Sequence, residues 1–331
     1  MSLVMTSASA GSAQTDPADW PPDLLCVADL PCVALEATLD LAAEMKRDPS
    51  AWRDALAGEA LACFFDVPAP GASLSAGTAA HRLGMLPVVL ARDELETGEG
   101  GPIDDVARRC SSLAAALYAH SVPHDTLRQV AAAATVPVIN GLCDLHCPCQ
   151  ALADLLTLRE RFGRLADVAV AFVGDARDPT VHCLMEAGAL CGMDIRIASP
   201  PDRPPSRLIR LGAETFATLH GARLIVTEDV EAAVAGADAV YTRAWILPRG
   251  ERRAEELARM RPYQVGPKLM KLAKPGAVFM HCLPARRGEE VVGTVMDGRR
   301  SVVWNQVANR VPAEQAAIYS LVRAQRAREA G

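Results

Sequence analysis

Two stretches of this chain concentrate side chains that could do chemistry. His281-Cys282-Leu283-Pro284 closes a short apolar run, so its imidazole and thiol fall where a strand should end at a crevice. A cysteine there is a nucleophile when ionised and a small packed thiol when neutral. The neutral, half-buried thiol is the preferred reading. The second stretch, Cys143-Asp144-Leu145-His146-Cys147-Pro148-Cys149, offers four soft ligands within seven residues. Zinc favours such ligands, and His281 and Cys282 should lie across the same crevice. Its spacing is not that of a zinc ribbon, so neither metal nor cofactor is expected. Arg177, Arg243 and Arg249 could together form a basic pocket for an anionic ligand, against the alternative of a solvated loop. Arg310 could clamp an anion or sit in a surface ion pair, and both readings stay open.

Helical and strand patterns alternate around these residues. Leu35, Leu39 and Ala42 mark one helix face ending near Lys46-Arg47. The continuous apolar run 60–65 reads as a buried strand. Further strands are expected at 87–90, 136–140, 168–173, 194–198, 224–227, 239–242, 277–280 and 301–304. Helices are expected at 103–116, 150–162 and 179–191, with another opening near Ser73-Leu74-Ser75. This alternation predicts an α/β fold of two doubly wound parallel-sheet domains joined by two interdomain helices. Ligands of such sheets bind beyond the carboxyl ends of strands. The turn Gly174-Asp175-Ala176-Arg177-Asp178-Pro179 lacks the glycine spacing of a dinucleotide site, which argues against a nicotinamide enzyme.

The composition narrows the classes. Half of the 331 residues are hydrophobic, aromatics are only 4%, and the formal net charge is -6, which gives no electrostatic case for nucleic acid or an anionic membrane. No apolar run approaches the roughly 20 residues of a membrane span. Ten cysteines, several inside apolar patterns, suit reduced thiols in a cytoplasmic protein. Residues 1–20 read as a disordered leader.

Three segments resemble the ornithine carbamoyltransferases: Phe279–Ala285 with Arg287–Val291, Val136–Leu142 with Pro148–Leu156, and Phe172–Asp175. Weaker similarity runs from Leu41-Ala42-Ala43-Glu44 to Asn309-Arg310. The resemblance implies a carbamoyl-phosphate-type domain over 21–160, completed by a C-terminal helix at 311–328, and an amino-acid-binding-type domain over 161–310. It implies a homotrimer with shared active sites, in which Glu96 lies on a loop reaching into a neighbour. It places Cys282 by the amino acid, Leu283 and Arg310 by the carbamoyl group, and Gln150 and His281 in the same crevice.

The sequence departs from the family at many of its ligand positions. The Ser-Thr-Arg-Thr-Arg run that cradles phosphate corresponds to Ala69-Pro70-Gly71-Ala72-Ser73, without the arginine and most hydroxyls. A second phosphate-binding arginine corresponds to His120, a cation only when protonated. The histidine that bonds the carbamoyl oxygen corresponds to Cys147; the nearby His146, shifted by one residue, should point elsewhere. The asparagine that holds the amino-acid head corresponds to Asp178, preceded by Arg177. The aspartate that receives the α-amino group corresponds to Arg243, and the closing Ser-Met-Gly loop to Leu247-Pro248-Arg249.

The expectation is therefore a small-molecule transferase of this family, moving a carbamoyl-like group to an amino-acid-like amine by something other than ordinary carbamoyl phosphate:ornithine transfer. Two alternatives stand beside it: a non-catalytic trimeric binding or regulatory homologue, and an ornithine carbamoyltransferase with substitute residues.

Overall fold

In the computed structural model, residues 16, 19–90, 102–245 and 252–331 are described. Among the described residues, nine strands form two parallel sheets. The first contains β1 (Ala60–Phe65), β2 (Leu86–Leu90), β3 (Ala116–His120) and β4 (Val138–Leu142) in the order β2-β1-β3-β4. The second contains β5 (Ala169–Val173), β6 (Asp194–Ala198), β7 (Arg223–Thr227), β8 (Ala239–Thr242) and β9 (Val278–His281) in the order β7-β6-β5-β8-β9. Strand order reverses between β1 and β3 and between β5 and β8. These are the switch points where such sheets open a crevice at their carboxyl ends. His120 ends β3, Gly174 follows β5, and Arg243 follows β8, so the topology alone gathers them at one side.

The helices follow from the chain's own signals. Helix α1 (Cys32–Arg47) buries Leu35, Leu39 and Ala42 and carries Lys46 and Arg47 at its negative end. Helix α2 (Pro70–Arg82) starts with proline at its first turn, where a missing N–H is tolerated. Helices α3 (Ile103–Ser111) and α4 (His124–Ala133) cover the first sheet on one face. Helix α5 (Pro148–Phe162) ends at Gly163 with φ 73°, a left-handed cap that glycine adopts without strain. Helix α6 (Pro179–Leu190) is capped by the Asp178 carboxylate, which accepts from Thr180 N at 2.8 Å.

After α6 come α7 (Arg207–His220), α8 (Val230–Val234), α9 (Arg252–Met260), α10 (Pro267–Met270) and α11 (Gly293–Met296). The 28-residue α12 (Val303–Ala330) then packs back on α1, α2 and α5. Among the described residues, one apolar core runs through α1, α5, α6, α12 and the facing sides of both sheets, and two smaller cores fill their outer faces.

Three expectations need correction. Residues 301–304 are not a strand: Ser301 makes one isolated bridge to Phe279, and the helix begins at Val303. The apolar run was too short to distinguish a strand from a buried helix start. Helix α3 stops at Ser111, and the strand Ala116–His120, which the resemblance implies by setting His120 at a strand end, is hidden from the residue pattern because its Ala-rich sequence carries little β signal. The last helix begins at 303 rather than 311, with Pro312 accommodated inside it. The leader (apart from Asp16, Asp19 and Trp20), Glu96, and Leu247-Pro248-Arg249 lie outside the described residues.

Candidate active site

Arg310, on α12, is the best-anchored cation in the crevice. Its Nε donates to Glu314 Oε1 at 2.9 Å, Nη1 to Gln150 Oε1 at 3.1 Å, and Nη2 to the Tyr118 hydroxyl and the Gly141 carbonyl at 3.4 Å each. A guanidinium has five N–H groups in a planar fork. These bonds use four, and the fifth, on Nη1, has no acceptor among the described residues. Glu314 is fully buried, so Arg310 belongs to a buried ion pair, not a surface one.

Behind Arg310 lies a layer centred on Asp154. Its carboxylate accepts from Gln150 Nε2, Gln306 Nε2 and the Tyr241 hydroxyl, each at 2.8 Å. Gln306 in turn accepts from His281 N at 2.9 Å. Burial raises the Asp154 carboxyl to about 6, with the three donors opposing. Neither Asp154 nor Glu314 was singled out from the sequence. Each stands four residues after a chosen residue on the same helix, Gln150 and Arg310, and that spacing was the available signal.

The end of β9 supplies the opposite edge. Leu283 adopts φ 49°, which is costly for a side chain with a Cβ. Its N–H donates to His281 Nδ1 at 2.9 Å, and His281 Nε2 faces Glu290 at 3.2 Å. His281 is completely buried with both ring nitrogens engaged. It shapes the strand end, with no ring nitrogen left free among the described contacts. Cys282 is half-buried, 3.8 Å from Thr180 Oγ1; burial pushes its thiol up while Arg243 opposes this. It is a neutral thiol near neutral pH.

On the second domain's side two of the three arginines of the expected basic pocket, Arg177 and Arg243, are ion-paired, and Arg249 lies outside the described residues. Arg243 Nη1 donates to Asp178 Oδ1 at 2.5 Å and to Thr180 Oγ1 at 3.2 Å. Arg177 grips Asp175 through Nε and Nη2 at 2.9 and 2.7 Å, and its side chain is 52% exposed. Asp175 also accepts from Arg203 at 2.7 Å. Burial raises Asp175, yet the two arginines hold it below its ordinary value. Arg177 and Arg243 thus have separate acidic partners instead of sharing one anion pocket, which the sequence could not show.

On the first domain's side, Gly71 is exposed, Ala72 buried and Ser73 half-buried in the first turn of α2. Ser73 N already donates to Ala69 O, and Pro70 has no N–H, so the amides of Gly71 and Ala72 are the donors this turn offers. His120 is buried against Phe65; burial, then Arg310 and Arg243, hold it down at about 4. It is neutral at pH 7 and supplies no cation.

The soft-ligand run does not converge as considered from the sequence. Cys147 Sγ turns to Gly141 O and Cys149 Sγ to Asn140 O, both at 3.4 Å, while His281 is committed to Glu290. Cys147 is buried and stands as the N-cap residue of α5. His146 points away from the crevice, towards Glu186 at 3.4 Å.

Comparison with known proteins places this geometry. Residues 22–160 match the family model "Aspartate/ornithine carbamoyltransferase, carbamoyl-P binding domain", and residues 166–321 match the corresponding Asp/Orn binding domain. The chain is 41% identical over 300 residues to an ornithine carbamoyltransferase of Hyperthermus butylicus, covering 89% of this chain and 96% of that one. It is also 41% identical over 300 residues to that of Methanothermobacter thermautotrophicus, covering 90% and 98%. Among solved structures, the Pyrococcus furiosus ornithine carbamoyltransferase superposes with a TM-score of 0.85 at 38% identity, over 89% of this chain and 95% of that chain. The Thermus thermophilus enzyme gives 0.82 at 35%, over 91% and 99%.

Proposed function

Because this chain belongs to the aspartate/ornithine carbamoyltransferase family, we propose that it transfers a carbamoyl group to the amine of an amino acid, with ornithine as the first acceptor to test. The names of its relatives support this better than the changed donor and acceptor expected from the sequence alone. The observation that carries the reading is Arg310, fixed on four bonds with one Nη1 N–H left for the crevice. A pre-oriented charged donor stabilises the oxyanion that develops as an amine attacks a carbonyl. In the transfer, the amine nitrogen bonds to the carbamoyl carbon, the carbon–oxygen bond to phosphate breaks, and the amine proton passes to the departing phosphate. Gln150 sets the guanidinium plane, Leu283 offers its carbonyl to the carbamoyl amide, and Cys282 lines the acceptor side.

The donor's phosphate would meet the Gly71 and Ala72 amides and Ser73 instead of an arginine cradle. Each charge-assisted contact is worth about 1.5–3 kcal/mol, so this substituted cradle should bind the donor weakly. Exposed Leu74, Leu86 and Val89 on α2 and the edge strand β2 support the homotrimer. Cys63, Cys149 and Cys183, buried in the apolar core, suit a reducing, cytoplasmic location. No helix among the described residues is long and apolar enough to cross a membrane.

A second reading has its own observation. Arg177, Arg243 and Arg310 are all ion-paired within the chain, which suits a binding or regulatory homologue that kept the fold and lost the reaction. Thermal shifts against carbamoyl phosphate, phosphate, ornithine and anionic amino acids separate the readings. A ligand at 100 times its Kd stabilises by about 2.7 kcal/mol. A shift with carbamoyl phosphate supports transfer. A shift with anionic amino acids alone revives a changed acceptor, and silence throughout leaves the non-catalytic reading.

A further inference from the structure

Outside the crevice, three potential metal ligands from distant parts of the chain converge. Cys26, His146 and Glu186 each bring one ligand atom to a group in which all lie within 4.8 Å of one another. Cys26 belongs to the N-terminal segment, His146 to the loop between β4 and α5, and Glu186 to α6 of the second domain. His146 and Glu186 are buried, and Cys26 is half-buried. Glu186 Oε2 lies 3.4 Å from His146 Nδ1, yet it makes no hydrogen bond. A buried carboxylate oxygen without a hydrogen bond is costly and rarely left so in a native protein.

We propose that Cys26, His146 and Glu186 bind a zinc-type divalent cation that ties the N-terminal segment and the β4–α5 loop to α6. Thiolate, imidazole and carboxylate are the three ligand types zinc accepts. With bond lengths of about 2.0–2.3 Å, tetrahedral ligands sit roughly 3.3–3.6 Å apart. The His146–Glu186 separation of 3.4 Å already fits, and the rest of the group closes by about 1 Å. An ionised Cys26 and Glu186 carry two negative charges, which match a divalent ion in a site shielded from water. Binding releases the thiol proton that Cys26 now donates to Asp29 at 3.1 Å. The sulfur of Cys183, 4.0 Å from His146 Nδ1, is the adjacent donor should a fourth protein ligand be needed.

The supporting shell is already built. The Asn140 amide donates to the carbonyls of Leu25 and His146 at 2.7 and 3.3 Å, holding the neighbour of one ligand and the backbone of another. His146 N donates to Cys143 Sγ at 3.1 Å, and its ring packs on His124 with centroids 5.1 Å apart. Leu24 bridges to Ile139, fixing the N-terminal segment along β4. Fixed ligands of this kind are what a tight site requires. The loop so tied runs directly into Cys147 and Gln150, so the cation would steady one wall of the crevice without entering it.

The test uses the full-length protein stripped of metal and titrated with Co²⁺. The expected result is a thiolate-to-cobalt charge-transfer band with tetrahedral ligand-field bands, saturating at one ion per chain and bleached by zinc. Cys26→Ser should abolish the charge-transfer band, and the near-isosteric Glu186→Gln should weaken binding at least tenfold. Cys282→Ser and Cys147→Ser should leave the spectrum unchanged. Absence of a one-to-one cobalt spectrum in the unaltered protein overturns the proposal, whatever the folding of the variants. So does a band that survives Cys26→Ser and disappears in Cys282→Ser.

Discussion

Arg243 and Asp178 hold each other at 2.5 Å on the second domain's side of the crevice, and the same aspartate caps α6. One residue thus neutralises Arg243 and begins a helix. Breaking a buried pair by removing one partner costs about 3–5 kcal/mol. Because the Arg243 side chain is 24% exposed, Arg243→Met should lie at the low end, near 3 kcal/mol, read from urea unfolding. The freed carboxylate should favour the α-ammonium of ornithine and lower its KM more than it changes kcat. A variant as stable as the parent would remove the pair from the account.

Arg310 and Glu314 form a second such pair, deeper in the protein. Arg310→Met should destabilise by about 3–5 kcal/mol because it leaves the Glu314 carboxylate buried and unpaired. Adding Glu314→Gln removes that stranded charge and should recover at least about 1 kcal/mol of the loss. Independent, additive losses in a double-mutant cycle would show that the two residues do not act as a pair.

His120 makes stability depend on pH in a stated direction. Its folded value of about 4 lies below the 6.5 of an unperturbed histidine. Its contribution is therefore fully present above pH 6.5 and is lost as the pH falls through 4. The difference of about 2.5 units, at 1.36 kcal/mol each, amounts to about 3 kcal/mol. Asp154, raised from 3.8 to about 6, acts oppositely: its contribution is present below pH 3.8 and lost as the pH rises through 6. Comparing stability curves of the parent and His120→Asn cancels that background. The parent should lose about 3 kcal/mol relative to the variant between pH 6.5 and 4, and parallel curves would contradict the burial of a neutral His120.

Gly141 sits where β4 passes beneath Tyr118. A Cβ built there would meet the Tyr118 hydroxyl at 2.2 Å, although that hydroxyl is held by Glu314 at 3.0 Å. Gly141→Ala should displace the ring and cost about 1–3 kcal/mol, with loss of the Arg310 contact to the carbonyl of residue 141. Unfolding curves that overlay those of the parent would show that the ring moves aside freely.

The alternation of apolar runs with helical patterns was enough to read two parallel sheets, because both periodicities are written locally. The Ala116–His120 strand escaped the residue pattern because alanine and leucine fit either structure, and only pairing with β1 and β4 decides between them. Among the candidate residues, Arg310, Gln150 and Cys282 were legible by type. Their partners were not, because Tyr118 and Tyr241 arrive from distant positions and gain meaning only by contact. Cys26 and Glu186 looked like an ordinary thiol and an ordinary helix acid until folding placed them beside His146.

The central claim is carbamoyl transfer in the crevice built on Arg310. It is tested most directly by incubating the full-length protein with carbon-13-labelled carbamoyl phosphate and ornithine and following both products. The account predicts equimolar release of phosphate and of the labelled ureido product of ornithine, with Arg310→Met slower by at least a hundredfold. Phosphate release no faster than in buffer, with no ureido product at saturating ornithine, would contradict it.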